Sequence, residues 1–85
     1  MLEEVIVPIT IDYLADDHLY KVGCPALQGC WAWGETLDEA LRAIPHNIRA
    51  MLEARRATGS SLPPLFEHVT PETTFGLRPQ DLQHR

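Results

Sequence analysis

Val5, Val7, Ile9, Ile11 and Tyr13 alternate with positions that include Pro8, Thr10 and Asp12. A two-residue period predicts a strand over 3–16, with its apolar side chains on one face. Pro8 has no N–H to give to a ladder, so the strand must be irregular there or turn that side to an open edge. The short acids of "ADDH" (15–18) suit a turn. "HLYKVGC" (18–24) then predicts a second strand that forms an antiparallel hairpin with the first. Pro25 and Gly29 punctuate 25–29, and "CWAWGE" (30–35) predicts a short third strand.

The period then changes. Leu37, Ala40, Leu41, Ile44, Ile48, Met51 and Leu52 recur every three or four residues, the stripe of an amphipathic helix. Thr36 is a good N-cap and Glu39 completes a capping box. Asp38 adds negative charge to the first turn, and Gly59 supplies the C′ residue. Pro45 removes one hydrogen bond, to the Leu41 carbonyl. The stripe keeps its phase on both sides, so a kink is expected and not a break. "SSLPPL" (60–65) is a rigid exit loop. Beyond it both "LFEHV" (65–69) and "TTFGL" (73–77) can form a strand, and "RPQDLQHR" (78–85) reads as a polar tail with room for one helical turn.

These elements make a single α+β domain over 1–85. Its core spans about 3–64, and a C-terminal strand and tail occupy 65–85. The order is β-β-β-α-β: a three- to four-stranded, mainly antiparallel sheet with one long helix on one face. One helix covers one face only. The other is left to water or to another chain.

Composition narrows the function more than the fold. The formal net charge of −5 disfavours a phosphate backbone as partner, so no direct nucleic acid is expected. The clearest cationic pair, Arg55–Arg56, sits at a helix end where cations suit the macrodipole. A basic protein is the better match. The N-terminus carries acids where a secretory signal carries lysines, and no apolar run approaches the roughly 18–20 residues of a membrane span, so a cytoplasmic protein without membrane contact is expected. Cys24 and Cys30 are then expected to be free thiols, buried as small apolar groups. The five residues between them match no common zinc spacing.

Candidate chemistry is sparse. Trp31 and Trp33 share one face of the third strand, whereas Cys30, Ala32 and Gly34 on the other are small enough to lie under a helix. The indoles either point at the uncovered face, as anchors for a partner or a second copy, or fill the domain's own core. Tyr20 is grouped with them as an interface residue. Asp12, Asp16, Asp17 and Glu35 raise a rival reading as a two-metal nuclease, although paired acids in a turn have a backbone reason to be there. His18, His46, His68 and His84 are scattered, and Ser60–Ser61 lack a triad pattern, so neither enzyme activity nor a cofactor is expected.

Pro25, Leu27, Gly29, Cys30, Gly34, Thr36, Leu37, Glu39, Ala40 and Leu41 resemble the signature P-x-L-x-G-C-x-x-x-G-x-T-L-x-E-A-L of the HicB-like antitoxin family. The likeness covers roughly 5–64. It implies a partial ribonuclease-H-like fold without nuclease activity, homo-oligomers, and neutralisation of a small basic RNA-cleaving toxin of the HicA-like type. Family spacing also favours "TTFGL" as the fourth strand. The chain departs from the family at Pro45 in mid-helix and at Trp33, where members often carry a polar residue. The 21 residues after Pro64 are too few for a complete C-terminal DNA-binding domain, so operator binding is not expected.

Overall fold

A computed structural model describes residues 3–80. The elements are β1 (Glu4–Leu14), β2 (Leu19–Gly23), β3 (Trp31–Gly34), α1 (Leu37–Thr58), a 3₁₀ turn (Pro64–Phe66) and β4 (Thr74–Pro79). This is the α+β order β-β-β-α-β that the hydrophobic pattern predicts, and the fourth strand lies where "TTFGL" does. The four-stranded sheet has the order β3-β2-β1-β4. It is mixed: β1·β2 and β2·β3 are antiparallel, and β4 returns parallel to β1.

Pro8 explains why β1 changes neighbours along its length. β2 pairs only with Thr10–Leu14, and β4 pairs with Glu4–Ile9. The carbonyls of Glu3 and Ile9 accept from the N–H groups of Thr74 (2.9 Å) and Gln80 (2.8 Å). Odd-numbered residues of β1 therefore turn their backbone groups toward β4. Pro8 turns the other way, beyond the end of the β2 ladder, where a missing N–H breaks no bond.

Thr36 caps α1 as expected, but the Glu39 side chain reaches the N–H of Glu35 and not that of the cap residue, so the expected capping box closes one residue early. Thr36 Oγ1 accepts from the Glu39 N–H at 3.1 Å, and Glu39 Oε1 accepts from the Glu35 N–H at 2.9 Å. Gly59 closes the helix in the left-handed region (φ 77°), with its N–H directed to the Arg55 and Arg56 carbonyls. The helix runs unbroken through Pro45. Ala40, Ile44, Ile48 and Leu52 are its buried stripe, packed on Val7, Ile9, Val22 and Ala32 of the sheet.

"LFEHV" is not a strand. Pro63 and Pro64 start a 3₁₀ turn that drops Phe66, fully buried, into the core, edge-on to Phe75 at 6.1 Å. Arginines of α1 hold this C-terminal segment. Arg49 donates to the Thr73 carbonyl and lies 4.8 Å over the Phe75 ring, and Arg56 donates to the Val69 carbonyl. The tail expected over 78–85 starts later than its polarity suggests. Arg78 and Pro79 belong to β4, in register with Pro8 and Ile9, because an edge strand tolerates both. Its expected helical turn falls partly on 81–85, outside the described residues.

Candidate functional site: the uncovered sheet face

With α1 on one side, the opposite face carries Ile6, Pro8, Thr10 and Asp12 of β1, Lys21 and Gly23 of β2, Trp31 and Trp33 of β3, and Gly76 and Arg78 of β4. Trp31 and Trp33 are 46% and 50% exposed, so they do not fill the core. Between them Ala32 is 1% exposed beneath the helix. The four-residue strand thus sorts large from small residues by parity alone.

The register builds two rows across the face. In one, Asp12, Lys21 and Trp33 are successive cross-strand partners; in the other, Thr10, Gly23 and Trp31. Gly23 lacks the atom that would obstruct the second row. A Cβ there would come within 2.9 Å of both Thr10 Oγ1 and Trp31 Cζ3. The Trp31 ring therefore lies down across β2 and does not stand out into solvent. Asn47 of α1 donates from Nδ2 to the Trp31 carbonyl at 2.6 Å, which fixes the backbone that carries the ring.

Lys21 completes the group. Its Nζ is 3.8 Å from the Trp31 ring centroid and 5.5 Å from that of Trp33. A cation over an exposed indole is worth about 0.5–1 kcal/mol. The sequence reading passed over Lys21. The signal was the strand parity that sets Lys21 opposite Val22, but only the β2·β3 register shows that the ammonium lands between two indoles.

Tyr20 does not join them. It lies on the helix-bearing face, opposite Gly34, packed against the core, with its ring tilted 51° against that of Tyr13 at 4.9 Å between centroids. Parity separates it from Lys21 by one residue and from the indoles by the thickness of the sheet.

The other candidate chemistry is dispersed. Asp16 and Asp17 sit in the β1–β2 turn, where the Asp17 N–H donates to the Leu14 carbonyl at 3.1 Å, and Glu35 adjoins the helix cap. Among the described residues, no three His, Cys, Asp or Glu side chains converge closely enough to hold a metal ion. His18 takes a left-handed turn conformation (φ 54°), His46 and His68 are exposed, and His84 lies outside the described residues. Cys24 and Cys30 are free, buried thiols on the helix side. Burial raises the Cys24 thiol, against opposing hydrogen bonds from the Leu27 and Ala26 backbone. Burial, and then neighbouring Cys24, push Cys30 up to about 11. Neither is an activated nucleophile. Among the described residues no helix is long and apolar enough to cross a membrane.

The family described as "HicB_like antitoxin of bacterial toxin-antitoxin system" matches residues 7–71. The UPF0150 protein Ta0767 of Thermoplasma acidophilum is 40% identical over 48 residues, which cover 56% of this chain and 70% of that protein. No solved structure gives a significant match. The matched stretch contains the hairpin, the Gly34–Thr36 corner, all of α1 and both indoles. With that span accounted for, the chain belongs to the HicB-like antitoxin family.

Proposed function

We propose that this chain is a non-enzymatic antitoxin of the bacterial cytoplasm that binds a small basic RNA-cleaving toxin and keeps RNA from its active surface. The observation that carries the reading is the half-exposed indole pair on the face that α1 leaves uncovered. Large rings on a rigid sheet suit the centre of an interface. The net charge of −5 suits a basic partner, speeding encounter more than tightening the complex.

Growth rescue tests it. A small basic protein encoded beside this gene, taken as the candidate toxin, is expressed with and without this chain. Wild type is expected to restore growth, and a folded Trp31→Ala/Trp33→Ala variant to fail. Rescue by that variant equal to wild type removes the indoles from the mechanism. A pull-down from the source cell that recovers only this chain removes the toxin.

A second reading has its own observation. β3 and β4 are both edge strands, and β4 lies beside exposed Ile6. Unpaired edges and exposed apolar side chains suit a homo-oligomer, with or without a toxin. Sedimentation that yields a monomer at micromolar concentration rejects it.

A further inference from the structure

We infer that the Trp31–Trp33 face is a receptor for a cationic side chain of a basic protein partner, an arginine above all, and that Lys21 is its resident occupant, displaced when the partner binds. The inference deepens the toxin-binding reading and rests on it for the identity of the partner.

Three observations carry it. First, the site already holds a cation: Lys21 Nζ lies 3.8 Å from one ring centroid and 5.5 Å from the other. Two indoles accessible to a charged group on the outer face are the arrangement that attracts ammonium and guanidinium groups. Second, a carboxylate waits alongside. Asp12 is the direct cross-strand partner of Lys21, yet the single ion pair among the described residues is Arg42–Asp38, on the helix. Lys21 therefore has two alternative partners on one face: the rings it covers now, and the Asp12 carboxylate across the strand. Third, the rest of the chain favours a cationic guest, with a net charge of −5.

Guanidinium has the advantage over the lysine it replaces. It is planar, stacks on an indole face and is more weakly hydrated than ammonium. Once displaced, Lys21 swings to Asp12, so neither of these two charges is left unpaired in the closed interface. Until then it covers the rings and limits their exposure to other apolar surfaces. The shallow hollow beside Trp31, lined by Thr10, Gly23, Pro25 and Gln28, gives the incoming stem a place to lie.

Lys21 is the only lysine in the chain, so its ammonium can be labelled uniquely apart from the N-terminus. Reductive ¹³C-methylation followed by NMR is expected to give a dimethyl-lysine signal shifted upfield by the ring currents. Hexa-arginine is the probe and hexa-citrulline its neutral counterpart. Hexa-arginine is expected to return the signal to its unshifted position and to change the emission of the two indoles, and hexa-citrulline to do neither. Lys21→Met is expected to tighten hexa-arginine binding by about threefold or more, because self-occupancy no longer competes.

Arg42→Met makes the same change in net charge away from the face and is expected to tighten binding less. Trp31→Leu is expected to weaken it, and Trp31→Phe, the gentler change, to weaken it in part. Equal binding of the two peptides, a tightening by Arg42→Met as large as that by Lys21→Met, or an unshifted methyl signal in the free protein overturns the inference. So does a signal that moves with the protein's own concentration, which makes a second copy the occupant. Failure of the wild type to restore growth, with peptide binding as expected, overturns the toxin reading alone.

Discussion

Gly34 shows how a single atom positions the helix. A Cβ at this position would lie 2.6 Å from the Ala40 backbone nitrogen and 2.8 Å from the Thr36 carbonyl oxygen. Backbone cannot give way as a side chain can, so Gly34→Ala is expected to lower stability by about 1–3 kcal/mol in urea unfolding. Gly76→Ala is the contrast. Its Cβ would meet the tips of the Glu4 and Ile6 side chains, which can rotate aside, so a much smaller loss is expected. The buried thiols give a residue-scale pH dependence. Cys30 titrates at about 11 when folded, above its ordinary value of 9.0, and Cys24 is also raised. Both are protonated in either state below the ordinary value. Above it the unfolded chain loses protons first, so stability falls as pH rises through about 9 toward about 11. Unfolding midpoints measured from pH 8 to pH 11 are expected to decline, and less steeply in Cys30→Ala.

At the scale of elements, α1 is both the cover of one sheet face and the clamp on the C-terminal segment. Its N-cap hydrogen bond, Thr36 Oγ1 to the Glu39 N–H, predicts a loss of about 1 kcal/mol in Thr36→Ala. Ile48 is fully buried in the middle of the stripe, and Ile48→Ala is expected to lose about 2–5 kcal/mol. Arg49 and Arg56 act differently. They tie the helix to the Thr73 and Val69 carbonyls just before β4, the edge strand that pairs with β1 alone. Arg49→Ala/Arg56→Ala is expected to open β4 locally, with amide exchange faster at 74–79 than in the β1–β2 hairpin. Equal acceleration in both would show that the sheet opens as one unit.

For the whole molecule the governing fact is asymmetry: one sheet, one helix, one face covered. Both tryptophans lie on the uncovered face, so fluorescence excited selectively at tryptophan reports on that face alone. The free protein is expected to show red-shifted emission that acrylamide quenches readily. A complex with a basic partner is expected to show a blue shift and lose most of the quenching. Emission that does not change on complex formation would place the interface elsewhere.

Hydrophobic period and caps were enough to draw the hairpin, the third strand and α1 from Thr36 to Gly59, because each depends on residues adjacent in sequence. The Pro8 irregularity and the parity of Trp31 and Trp33 were legible for the same reason. Whether the indoles faced a partner or the core was not, since strand parity separates two faces without saying which the helix takes. The long-range pairings were equally closed to local reading. A parallel β4 beside β1, the 3₁₀ turn that buries Phe66, the placement of Tyr20 away from the indoles and the seating of Lys21 between them all arise from contacts across strands and across the chain. Sequence determined which segments become strands and helix and which residues share a side. Only tertiary packing decided which side is covered, because burying the Ile44–Ile48–Leu52 stripe on one face is what leaves the other open.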